Sequence, residues 1–253
     1  MKLHILKSSS KGNGYVLEAK DSALIIEAGV DSRHLKRSLD FNISKVVACL
    51  VSHEHKDHSA KAEQYAKNGI RVFASPGTVE ALGFKSHNLV PILKAKNRIG
   101  DFEVRPFDVI HDVAEPFGFL IRHEACGTVL FVTDTQYIDA RFPNLNQIII
   151  EANYCEDILE ADDRNGTISS FLSDRIRRSH MSIQTAMKLL EAQDLSKVRN
   201  IVLTHLSDTN SHAIRFREMV RKRFGRKVHI AESGMSIDFS LNPFQNLPKS
   251  KKQ

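Results

Sequence analysis

In the first third of the chain, short apolar runs alternate with polar, glycine-bearing turns. "KLHIL", "YVLEA" and "ALIIEAG" read as strands of a meander. "DSRHLKRSLDF" predicts a helix with Asp31 as its N-cap. "KVVACLVS" is apolar without alternation, the pattern of a strand buried on both faces. "DHSAKAEQYAKNG" predicts one helix closing at Gly69, "IRVFAS" a strand, and Pro76 the first residue of another helix. A second β-rich set follows in "FEVRPFDVI", "FGFLIRH", "TVLFVTDT" and "QIIIEAN". Helices are then expected over Ile168 to Arg178, Ser182 to Gln193 and His212 to Phe224, with strands at "NIVLTHLS", "VHIAE" and "MSIDF". Two β-rich halves, each with helices, predict two sheets face to face with helices outside, an α/β (α+β) four-layer αββα sandwich. With no Pro- or Ser-rich linker, a single domain is expected over residues 1–240, followed by a basic, flexible tail over 241–253.

Composition narrows the class. At 253 residues and 42% hydrophobic, the chain can bury a sizeable core. It has no run of eighteen apolar residues to span a membrane, and its N-terminus does not read as a signal peptide. Three scattered cysteines, Cys49, Cys126 and Cys155, make neither a disulfide framework nor a zinc knuckle. The expectation is a cytoplasmic protein, monomeric or homodimeric. The formal net charge is +6, and "RFREMVRKRFGRK" concentrates cations between Arg215 and Lys227. This is either a solvated helix face or a surface that follows phosphates.

The chemistry is densest in "VSHEHKDHSA". His53 and His55, two apart at the end of a strand, face the same way, and Asp57 and His58 follow where the chain turns into a helix. With twelve histidines in the chain, an H-x-H-x-D-H run arises by chance on the order of 10⁻³ times. One strand end cannot close a metal site. His111, Asp134 and His205 each end another apolar run. Ligands at strand C-terminal ends converge on one edge of a sandwich.

"HEHKDH" with His111, Asp134 and His205 resembles the metallo-β-lactamase superfamily. "LKSSSKGNGYVLEA", "LIIEAG", "DVIHDVAEPFGFLI", "FVTDT", "IIIEANYCEDIL", "SHMS" and "LTHLSDTN" resemble more narrowly its YycJ/WalJ-type branch of metal-dependent nucleases acting on DNA. The resemblance implies two divalent metals: His53, His55 and His111 on the first, Asp57, His58 and His205 on the second, and Asp134 bridging. Nitrogen and carboxylate donors without thiolate suit zinc, manganese or iron. Glu27 stands where the family usually has an Asp that orients ligand histidines, so the local geometry there is in question.

Two metals sharing a water imply phosphoester hydrolysis, with Asp57 orienting the water and accepting its proton. His180, in "RRSHMSIQTA", would protonate the leaving group, as the resemblance to phosphodiesterases such as ribonuclease Z implies. Ser182 would cap the next helix. Substrate contacts are expected from Ser9, Ser10 and Asn13 in the turn "SSSKGNGY", from Asn153, from Ser182, and from one or two of Arg175, Arg177 and Arg178. The function expected is a dinuclear phosphodiesterase, a DNA exonuclease or related nuclease with DNA favoured over RNA. The alternatives are a phosphodiesterase for a small cyclic nucleotide, with "ADDRNGTISS" as a partner-closing loop, and then a non-phosphoester hydrolase or an inactive binding module.

Overall fold

A computed structural model describes residues 1–242; most of the expected basic tail lies outside them. The first half builds β1 (Lys2–Ser9), β2 (Gly12–Glu18), β3 (Ala23–Ile26), α1 (Ser32–Ser38), β4 (Val46–Leu50), α2 (Lys56–Ser59), α3 (Ala62–Lys67), β5 (Val72–Ala74), α4 (Pro76–Leu82) and β6 (Leu89–Pro91). The second builds β7 (Asn97–Ile99), β8 (Phe102–Asp108), β9 (Phe117–His123), β10 (Gly127–Val132), β11 (Leu145–Glu151), α5 (Glu156–Arg164), α6 (Ser170–Ser179), α7 (Ile183–Glu191), β12 (Asn200–Thr204), α8 (Ala213–Phe224), β13 (Lys227–Ile230) and β14 (Ser236–Asp238). The strands form two seven-stranded sheets, in the orders β14-β1-β2-β3-β4-β5-β6 and β13-β12-β11-β10-β9-β8-β7.

The alternation of side chains across each strand creates the layers. In β4, Ala48 and Leu50 enter the core between the sheets, while Cys49 and the following Val51 enter the core under the helices of the first sheet. In β11, Ile149 faces the central core and Ile148 and Ile150 face the helices of the second. Burial on both faces accounts for the unbroken apolar runs of these parallel strands. This is the αββα sandwich anticipated above. Among the described residues no helix is long and apolar enough to cross a membrane.

The helix expected over "DHSAKAEQYAKNG" is instead two, α2 and α3. Between them the Lys61 N–H donates to the Ala28 carbonyl, 2.7 Å, and the Ala28 N–H donates to the His58 carbonyl, 2.7 Å. The loop after β3 thus takes backbone bonds that a continuous helix would have made. Gly29 permits it: a Cβ there would stand 1.7 Å from the Asp57 carbonyl oxygen. Helix α5 was not expected, and it absorbs the start of "ADDRNGTISS". Ser75 and Ser182 cap α4 and α7 by accepting from the N–H groups of Thr78 and Thr185.

Candidate metal centre

Every residue of the cluster sits just past, or at, the C-terminal end of a strand. His53, His55, Asp57 and His58 follow β4, His111 follows β8, Asp134 follows β10 and His205 follows β12. Three strand ends are bent by left-handed residues other than glycine: Glu27 at φ 70°, Asp134 at φ 44° and His205 at φ 53°. Each such conformation costs about 1–2 kcal/mol. It turns the chain away from the sheet while keeping the side chain on the edge where the others gather. Strain of this kind concentrates at functional sites.

Three groups share Asp134. Two carry the expected histidine sets: His53, His55, His111 and Asp134 each place one potential ligand atom within 4.8 Å of the others, and so do Asp57, His58, Asp134 and His205; Asp134, Glu151, His180 and His205 form the third. Asp134 Oδ2 lies 3.8 Å from His53 Nε2, 3.9 Å from His111 Nε2 and 3.4 Å from His58 Nε2, so it stands between the two sets. His53 Nε2 is buried with no hydrogen-bond partner, while its Nδ1 is engaged by the Ser52 hydroxyl at 2.8 Å. Two imidazole nitrogens, His111 Nε2 and His55 Nδ1, face each other at 3.1 Å. An orphaned nitrogen and opposed nitrogen lone pairs fit a shared cation.

The electrostatics agree. Burial, then the neighbouring His58, holds His53 well below the ordinary imidazole pKa, and burial likewise lowers His111, leaving both in the neutral form a cation needs. Burial pushes the Asp134 carboxyl up, but His205 and His58 outweigh it and hold it ionised, far below the usual carboxylate range. Asp57 is depressed in the same way, burial being overcome by hydrogen bonds from His205 and His58. His58 and His205 are raised despite burial, chiefly by Asp134, and His205 reaches about 10. The protons drawn onto them mark the demand for positive charge that divalent ions would meet.

Around this cluster stands a set of buried orienting groups. Glu27 Oε1 lies 3.5 Å from His58 Nδ1, within ion-pair range but without a hydrogen bond between them, while Glu27 Oε2 accepts from the Ser52 N–H at 3.3 Å. Asn13, expected in contact with substrate, is fully buried; its amide donates to Asp57 Oδ2, 3.2 Å, and approaches His58 Nε2 at 3.1 Å. Asn153 is buried too, and its amide donates to the His205 carbonyl at 2.8 Å. Ser182 spends its hydroxyl on its helix cap, and the Ser9 hydroxyl accepts from the Lys11 N–H. Of the residues expected to bind substrate, Ser10 and Arg175 line the cleft. Asn13, Asn153 and Ser182 are instead buried, with their polar groups engaged inside the fold; Ser9 is half-buried and does not line it. Ser8, which the sequence reading passed over, accepts from the His205 N–H at 2.9 Å.

Glu151 was also missed. It ends β11, is completely buried, and accepts from His180 Nδ1 at 2.7 Å, His205 Nδ1 at 3.1 Å, and the N–H groups of Met181 and Thr135. The signal was present, since "QIIIE" ends in an acid as "TVLFVTD" does. Burial acts to lower the pKa of His180, but Glu151 and then Asp134 overcome it and the net shift is upward.

A cleft of about 330 Å³ opens onto the cluster. His55, Asp57, His111, Asp134, His180 and His205 line it, with a wall of Leu172, Arg175, Ile176 and Ser179 from α6. A larger cavity, about 460 Å³, lies between α1 and the 233–236 turn and contains none of these residues. On α8, Arg215 and Arg223 pair with Asp157 and Glu191, and Arg217 and Arg221 share Glu218.

The family profile described as beta-lactamase superfamily domain matches residues 23–206, most of the chain and all seven residues of this cluster. The chain belongs to the beta-lactamase superfamily. Membership and the His/Asp cluster together make it a metal-dependent hydrolase. The chain is 28% identical to exodeoxyribonuclease YycJ of Bacillus anthracis, over 96% of this chain and 95% of that one. It is 26% identical to exodeoxyribonuclease WalJ of Streptococcus pneumoniae, over 95% and 93%. Among solved structures, the metallo-beta-lactamase fold protein YhfI of Bacillus subtilis superposes with a TM-score of 0.71 at 20% identity, over 93% of this chain and 98% of that one, which establishes the same fold.

Proposed function

We propose that this superfamily member is a cytoplasmic, dinuclear phosphodiesterase that hydrolyses DNA, as an exonuclease or closely related nuclease. The observation that carries the reading is the Glu151–His180 pair at the cleft. A deoxyribose alkoxide is a poor leaving group and needs a proton as it departs. Glu151 accepts a hydrogen bond from His180 Nδ1 at 2.7 Å, which leaves Nε2 of the imidazolium as the atom that delivers a proton.

Two divalent ions, zinc, manganese or iron, held by His53, His55 and His111 and by Asp57, His58 and His205 with Asp134 between them, would lower the pKa of the attacking water and neutralise phosphoryl oxygens. Asp57 lines the cleft, and its Oδ2 accepts from Asn13 and contacts His58 and His205, fixing the side chain. Its carboxylate is held ionised and would accept the proton of the attacking water. His205 and His180 both lean on Glu151, so one buried acid aligns a ligand and the general acid together. The names of the two bacterial relatives support DNA over RNA.

A cleft of about 330 Å³ is also the size of a small-molecule site, so a cyclic nucleotide is the second substrate class. The test is the zinc- or manganese-loaded protein on 5′-phosphorylated DNA, RNA, cyclic nucleotides and bis-p-nitrophenyl phosphate, with Asp57→Ala as control. DNA hydrolysis that Asp57→Ala abolishes is expected. Turnover confined to cyclic nucleotides selects the second class, and equal rates for wild type and Asp57→Ala overturn the hydrolytic assignment.

A further inference from the structure

Helix α6 ends at His180, its C-cap, and begins at the surface. Phe171, Arg175 and Arg178 recur along it at intervals of four and three, so they form one stripe. Phe171 is 75% exposed. Arg177, off the stripe, is held by Glu156 at 3.2 Å and by Asp174. Arg175 has no side-chain hydrogen bond or ion pair among the described residues. It lines both the cleft over the cluster and a second hollow of about 380 Å³, whose walls are Phe171, Arg178, Ser179 and Asp112. The one acid in that hollow, Asp112, accepts from the Ser179 hydroxyl at 3.2 Å.

We infer that this stripe is a subsite for the leaving-group side of the substrate strand, with Arg175 on the phosphate next to the scissile one and Phe171 stacked on the base beyond it. The inference rests on the nuclease reading above and adds which residues grip the strand and on which side of the bond. Three features lead to it. The helix that carries the stripe ends at His180, the residue proposed to protonate the leaving oxygen, so a strand that runs along α6 from His180 is attached to that oxygen. By the rise of a helix, Arg175 stands about 7 Å and Phe171 about 13 Å from His180 along the axis, which leaves room for a neighbouring nucleotide. An uncommitted guanidinium beside an exposed aromatic ring is the pair of groups that holds unpaired nucleotides: charge for the backbone and a π-face for the base.

The experiment uses the full, manganese-loaded chain and oligonucleotides carrying 2-aminopurine at successive positions from each end. Loss of one base stack is worth about a tenfold change in affinity. Phe171→Ala is expected to raise the KM for DNA about tenfold with kcat within twofold, and Phe171→Trp to restore it. The 2-aminopurine quench at one position should vanish in Phe171→Ala and survive in Arg175→Ala. Arg175→Ala should raise KM and reduce the slope of log KM against log salt by about one. Wild-type KM in Phe171→Ala, on DNA that the wild type degrades, overturns the subsite and leaves the nuclease reading standing. Failure of the wild type to bind or cleave any oligonucleotide, with bis-p-nitrophenyl phosphate still hydrolysed, overturns both.

Discussion

Replacing His180 with Ala tests the general-acid role proposed for it. His180 lies at the cleft, 2.7 Å from Glu151 through Nδ1. Its removal takes away the proton donor but not the carboxylate's other partners, since Glu151 still accepts from His205 at 3.1 Å and from the Met181 and Thr135 N–H groups. The fold should therefore lose only about 1–2 kcal/mol, and the residues that would hold metal remain. A positioned general acid contributes about 10²–10⁴ in rate, or about 3–5 kcal/mol of barrier. That full loss is expected in kcat on DNA, whose leaving alkoxide is strongly basic. On bis-p-nitrophenyl phosphate the leaving phenolate is stable without a proton, and the loss should be under about tenfold. The assay is the pair of kcat ratios at one pH, together with metal content by elemental analysis. Equal losses on both substrates would refute the assignment, and depleted metal would refute it and make His180 a ligand.

Glu27→Ala removes the one carboxylate beside His58 Nδ1. Metal affinity, measured by competition with a chromophoric chelator, should fall about 10–100-fold; unchanged affinity denies Glu27 its orienting role. Gly29→Ala drives a Cβ onto the Asp57 carbonyl, a backbone atom that cannot swing aside. The expected cost is about 3 kcal/mol or more, read as a fall in Tm of about 6–12 °C, and a Tm within about 2 °C of wild type would contradict the close approach. At the far end of the first sheet Glu18 bonds Lys45 at 2.6 Å and His4 at 2.8 Å. Burial raises its carboxyl pKa, but these partners outweigh it and the net shift is downward. A depressed folded-state pKa contributes stability above the unfolded-state value that is lost as the pH falls through the folded one. Glu18→Gln should therefore cost about 1 kcal/mol at neutral pH, a deficit that closes below about pH 4 in urea titrations. A deficit independent of pH would mean lost packing and no ion pair.

The layered architecture was legible because burial on two faces writes itself into composition. Consecutive apolar residues, as in "VVACL" and the Ile148–Ile150 run of β11, are expected only where both sides of a strand are covered. The cluster was legible for a related reason: H-x-H-x-D-H is a local constellation, and its distant members all end apolar runs. The break between α2 and α3 was not legible, because the bonds that cause it come from Ala28, some thirty residues away. Nor were the jobs of the polar residues around the centre. Asn13, Asn153 and Ser182 are residue types that suit phosphate contact, and nothing in their spacing says that their partners lie inside the fold.

By itself, then, the chain's pattern of apolar and polar positions determined the two sheets, their covering helices and the set of seven residues that gather at one edge, since each depends on periodicity or on neighbours a few positions away. The tertiary structure decided what surrounds them: Glu151 beneath both His180 and His205, Ser8 on the His205 backbone across 197 residues, and Arg175 rather than Arg177 over the cleft. Those relations follow from the order of strands in the sheets and from the rotation of α6 about its axis. Neither is set by local spacing; both are fixed by which faces must be buried once the whole sandwich has closed.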